Sequence, residues 1–138
     1  MKVNIKLIEG GKIPVKMHTN DAGFDCYARE FIKLGNQYKY NLGFAIEIPQ
    51  GYVGLVFPRS SVCKTGLSMS NSVGVIDSNY RGEVSAVYNN VDTEKERYKV
   101  GERVCQLIIM PYPEIEFNEV EELADSDRGE NGYGSTGK

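Results

Sequence analysis

A single, mostly β domain is the fold class this sequence predicts, and three observations predict it. Apolar residues alternate with a period of two in several short runs, Gly, Pro or Asn bounds those runs, and no long stretch carries helical periodicity. The length of 138 residues suits one domain, and 41% hydrophobic with 25% charged residues is the balance of a chain that builds a core. Many short strands joined by frequent turns point to a sandwich, jelly roll or barrel, and the residue pattern leaves that choice open.

The elements follow in order. In residues 3–7, Val3, Ile5 and Leu7 share one strand face, and residues 44–48 repeat that alternation. Residues 52–57, 83–88 and 103–110 are further β-rich runs. From residue 124 the apolar pattern is lost and four glycines appear, so residues 1–125 are read as the β-domain and 126–138 as a flexible C-terminal lid segment.

Charge narrows the function classes. Residues 1–113 carry 14 Lys+Arg against 11 Asp+Glu (+3), and residues 114–138 carry 2 against 8 (−6), giving the net −3. An excess of three suits a small anionic ligand better than a nucleic-acid backbone, so no direct nucleic-acid binding is expected. Three dispersed cysteines and a lone histidine supply neither a disulfide framework nor a zinc set. With no apolar leader in residues 1–6 and no membrane-length apolar run, the expectation is a cytoplasmic protein, nuclear if the source has a nucleus.

Five segments carry candidate chemistry. Pro58-Arg59-Ser60-Ser61 follows a strand and reads as a turn, with Ser60 as the cap of one or two helical turns; it is an anion site or an ordinary helix start. Residues 71–83 read as a strand, a turn and a returning strand, whose tip offers Asp77 as a general base or as a turn-former, and Tyr80 as an aromatic platform. Asp25 and Gln106 are polar residues in β-rich surroundings, and a solvent-facing position explains Gln106. The tail string 128–138 matches dinucleotide and P-loop glycine spacings, but both need a following helix, so neither is expected. Its glycines, Arg128, Ser135 and Thr136 either clamp an anion or form an unstructured terminus.

Taken in order, Ala22-Gly23-Phe24-Asp25, Pro58-Arg59-Ser60-Ser61, residues 71–83, residues 101–107 and residues 128–137 resemble the five motifs of the trimeric dUTPases. The resemblance implies an all-β, jelly-roll-like fold assembling as a homotrimer with shared active sites. It implies dUTP hydrolysis to dUMP and pyrophosphate, limiting uracil incorporation into DNA and supplying dUMP for thymidylate synthesis. By the same resemblance, Asn71, Gly74, Val75, Ile76 and Ser85 read uracil and Tyr80 packs on the deoxyribose. Arg59, Ser60, Ser61 and Gln106 hold the α- and β-phosphates. Arg128, Gly132, Gly134, Ser135 and Thr136 close on the γ-phosphate, and Tyr133 stacks on uracil. Asp77 would activate water, with Mg²⁺ held by the triphosphate and reached by Asp25 through water.

The chain has Ser61, Asn79, Asn131 and Tyr133 where the family more often has Gly, Asp, Gly and Phe. A nucleotide-binding regulatory module of the same fold, or a relative of the dCTP deaminases, are the alternative readings. The Asp77–Tyr80 segment and Tyr133 favour the uracil enzyme.

Overall fold

The computed structural model describes residues 1–137; Lys138, the last residue of the P-loop-like string and of the lid segment, lies outside them. Ten strands form in chain order: β1 (Asn4–Leu7), β2 (Phe24–Tyr27), β3 (Glu30–Leu34), β4 (Gln37–Asn41), β5 (Phe44–Glu47), β6 (Tyr52–Phe57), β7 (Leu67–Met69), β8 (Gly74–Ile76), β9 (Ser85–Asn90) and β10 (Arg103–Pro111). The one helical element among the described residues is a 3₁₀ turn at Ser60–Lys64. All named strand pairs are antiparallel, in sheets ordered β2-β10-β6-β8 and β3-β4-β9-β7 with a separate β1-β5 ribbon.

Period-two burial explains why the sheets stack. Val56, Cys105 and Leu107 from one sheet and Tyr40, Met69, Ala86 and Tyr88 from the other enter a single core, and the Tyr88 hydroxyl donates to Val104 O at 2.6 Å across the gap. Tyr40, Tyr88 and Tyr98 meet edge-on, with ring centroids 6.0–6.3 Å apart. Burial pushes the Tyr40 hydroxyl up to about 12 and the Tyr88 hydroxyl higher still, so both stay protonated donors.

The all-β expectation holds, with three differences. Leu7 is exposed although Val3 and Ile5 pack against the core, because the ribbon ends there. Strands β2, β3, β4 and β7 lie outside the β-rich runs that the sequence marks: they are short, and polar residues interrupt them. Residues 71–83 are not a strand returning on its neighbour. Asn71 and Ser72 form a turn, β8 pairs with β6, and the chain crosses to the other sheet, where β9 pairs with β4 and β7. Local turn chemistry is the same in both topologies, so the alternation of residues could not distinguish them.

Candidate functional site

The crossing between β8 and β9 builds the first half of the site. The Tyr80 N–H donates to Asp77 O at 3.1 Å, closing a turn, and Arg81 Nη1 donates to the carbonyls of Ser78 (2.6 Å) and Tyr80 (3.0 Å). The Tyr80 hydroxyl donates to Glu83 O at 3.1 Å. Gly82 lies under that ring: a Cβ here would stand 2.6 Å from Tyr80 Cζ, so any side chain would displace the tyrosine. Glu83 fastens the far end, accepting from Arg29 Nε and Nη2 and from the Gly43 N–H, each at 2.9 Å.

Val75, Ile76, Asp77, Tyr80, Val84 and Ser85 line a cleft of about 160 Å³. The turn at Asp77 is made by its carbonyl; its exposed carboxylate has no hydrogen-bond or ion-pair partner among the described residues. Asp77 also borders a wide cavity of about 1020 Å³ that includes Lys2, Asn79 and Arg81. Asn71 stands just before β8, exposed and beside Gly74 rather than in the small cleft.

The second half gathers around Asp25 on β2. Its carboxylate accepts from Arg59 Nε (2.8 Å) and Nη2 (3.3 Å) and from Arg103 Nη1 (2.9 Å). Arg59, not Ser60, holds the N-cap position of the 3₁₀ turn and makes no side-chain cap bond. Arg59 keeps extended backbone while Ser60 is already in the turn, which corrects the expected Ser60 cap. Gln106 does not simply face solvent: its Nε2 donates to Pro58 O at 3.0 Å, fixing β10 to the turn, and Gly23 leaves the space that its amide oxygen fills. Asp25, Arg59, Ser60 and Gln106 thereby share a cleft of about 330 Å³.

Asp25→Asn is expected to cost about 2 kcal/mol of stability, because it leaves two guanidinium groups facing one another without their shared anion. Thermal or urea unfolding measures this, and a change below about 0.5 kcal/mol would show the pairs to be ordinary surface bridges.

The tail residues Arg128, Gly132, Tyr133, Gly134, Ser135 and Thr136 are exposed, and their recorded bonds stay within the tail. Arg128 Nε donates to Asn131 O at 2.7 Å, while Gly134 at φ +82° and Gly137 at φ +95° bend the chain. The Asp77–Tyr80 cleft, the Asp25–Arg59 cleft and the tail share no lining residue within the chain. Sequence reasoning missed Arg103, Gly82, Glu83 with Arg29, and Tyr98, whose hydroxyl meets Ser61 Oγ at 2.9 Å. Gly82, Glu83 and Arg103 stand inside the matching motif segments, and Arg103 carries a further signal as a cation in an apolar strand matching the lone anion of another. Among the described residues no three His, Cys, Asp or Glu side chains converge as a metal-binding group.

Comparison with known proteins matches residues 9–137 to the dUTPase family model. The deoxyuridine 5′-triphosphate nucleotidohydrolase of Corynebacterium diphtheriae is 43% identical, over 91% of this chain and 85% of that one. Its counterpart in Nautilia profundicola is 41% identical over the full length of both. Among solved structures, the Staphylococcus bacteriophage 80alpha dUTPase with dUpNHpp superposes with a TM-score of 0.84 at 32% identity, covering 99% of each chain. A mutant dUTPase from phage phi11 of S. aureus, described with a structural Mg(II) ion, gives 0.74 at 28% identity, over 88% of this chain and 98% of that one.

Proposed function

The chain belongs to the dUTPase family and hydrolyses dUTP, and from that premise we propose how its residues divide the work. The observation that carries the proposal is Asp77: an unpartnered carboxylate on the boundary between a nucleoside-sized cleft and an open polar cavity. There it would take a proton from water as the oxygen attacks the α-phosphorus, releasing dUMP and pyrophosphate. Ile76, Val75 and Ser85 would face uracil together with Asn71 and Gly74. Tyr80, backed by Gly82, would close on the deoxyribose, leaving a ribose 2′-hydroxyl crowded.

Arg59, Ser60, Ser61 and Gln106 would bind the α- and β-phosphates. Of the five N–H donors of Arg59, three are engaged by Asp25 and Ser61, so two remain for phosphate oxygens. Asp25 Oδ1 accepts one recorded bond and keeps a lone pair for a water; with no converging carboxylates among the described residues, the protein's own residues fit Mg²⁺ held chiefly by phosphate and water. When bound, Mg²⁺ neutralises charge on the phosphate oxygens.

A homotrimer with shared sites supplies the remaining logic. Within one protomer the clefts and the tail stand apart, so the tail of one subunit would close over clefts of others, with Arg128, Ser135, Thr136 and the N–H groups near Gly132 and Gly134 on the γ-phosphate and Tyr133 on uracil. Among the described residues no helix is long and apolar enough to cross a membrane, and a cytoplasmic site of action fits a nucleotide substrate. Pyrophosphate release from dUTP, dTTP, dCTP and UTP, with Mg²⁺ and with EDTA, tests the reading: Mg²⁺-dependent release from dUTP alone is expected. Release from UTP at a comparable rate would remove Tyr80 from its role, and ammonia from dCTP would reassign the reaction.

A further inference from the structure

We infer that Tyr98 is a positioning residue for the phosphate-binding turn, holding Arg59 through the hydroxyl of Ser61. The inference rests on the proposed role of Arg59 toward phosphate. Tyr98 lies in the irregular chain between β9 and β10, yet its side chain is buried. Its ring stands edge-on to Tyr40 and Tyr88, and its carbonyl accepts from the Tyr40 hydroxyl at 2.9 Å, so the core fixes where its own hydroxyl ends.

That hydroxyl meets Ser61 Oγ at 2.9 Å, and Arg59 Nη1 donates to the same oxygen at 3.2 Å. Either hydroxyl can donate in the first bond, and in both cases Ser61 Oγ joins Tyr98 to Arg59. Burial also raises the Tyr98 hydroxyl above its ordinary value, with the Ser61 bond opposing, so it keeps its proton. Ser61 Oγ therefore stands between a protonated phenol on one side and a guanidinium on the other.

Asp25 therefore grips one edge of the Arg59 guanidinium, at Nε and Nη2, while Ser61 grips Nη1. A planar group held at three donors cannot swing about its Cδ–Nε bond, so its two remaining N–H vectors point in a fixed direction before substrate arrives. Ser61 Oγ is turned toward Tyr98 and away from the cleft that Ser60 lines, and Tyr98, Ser61 and Arg59 together border a separate hollow. The serine side chain thus serves the arginine, leaving its backbone N–H for the ligand.

The test measures inhibition of dUTP hydrolysis by dUDP and by deoxyuridine in the full-length enzyme. Tyr98→Phe keeps the ring and removes one hydroxyl; it is expected to weaken dUDP by about threefold to tenfold, the worth of one hydrogen bond, and leave deoxyuridine unchanged. Ser61→Ala, which leaves the core untouched, should give the same selective loss, and the double variant no more than either single one. Unchanged dUDP affinity, equal loss for deoxyuridine, or additive losses would overturn the inference. Arg59→Ala separates the layers: if it too leaves dUDP unchanged, the phosphate role of Arg59 falls and the inference with it, whereas loss there without loss in Tyr98→Phe overturns Tyr98 alone.

Discussion

Asp77→Asn should lower kcat by about 10³-fold while leaving the affinity for a non-hydrolysable dUTP analogue within about twofold. The amide has nearly the volume of the carboxylate but cannot accept the proton of an attacking water. Because the Asp77 side chain has no partner among the described residues, nothing in the turn depends on its charge: the Asp77 carbonyl and the two carbonyls gripped by Arg81 hold the loop. Stability should therefore be unchanged. Single-turnover rates beside analogue titration make the measurement; a variant that turns over normally would show that another group activates water, and one that fails to bind would make Asp77 a ligand rather than a base.

Removing residues 126–138 is expected to lower kcat/KM by about 10²-fold, as loss of donors to transition-state charge does elsewhere. The melting temperature should move by less than about 2 °C, since the tail buries no core residue and its recorded bonds stay within itself. Equal volumes of this truncated protein and Asp77→Asn, unfolded and refolded together, should then recover part of the activity. A truncated subunit would supply Asp77 and an Asp77→Asn subunit the tail, which needs a site shared between chains. Full activity in the truncated protein would end the lid, and no recovery on mixing would confine each site to one chain.

Sequence made the strands easiest to read where apolar residues alternate without interruption, as in Phe44–Glu47 and Tyr52–Phe57. It failed at Gln37–Asn41, where the inward-facing residues are tyrosines rather than aliphatics and the strand ends on a buried asparagine, so no apolar alternation marks it. The site divides the same way. Asp77, Tyr80 and Arg59 stand out as candidates because ordered short motifs carry them. Partners brought together by topology do not: Arg103 lies 78 residues from Asp25, and Tyr98 lies 37 from Ser61. No local rule reports such meetings, because they are set by which strands become neighbours. The Ser60 cap failed for a smaller reason: a 3₁₀ turn of five residues begins one residue earlier than hydroxyl chemistry suggested.

The chain between β8 and β9 leaves one sheet and arrives in the other, with Glu83 moored to Arg29 and the Val84 amide and carbonyl bonded to Phe44 and Leu42. It is a bridge with an abutment on each bank, and the cleft lined by Asp77 and Tyr80 hangs from its span. A hairpin would travel with a single sheet and keep its shape however that sheet shifted. A bridge instead registers any slip of one bank against the other, and the Tyr88–Val104 bond is one of the contacts that fix the two banks in place. The set of the interior is, in this molecule, also the set of the span that carries Asp77 and Tyr80.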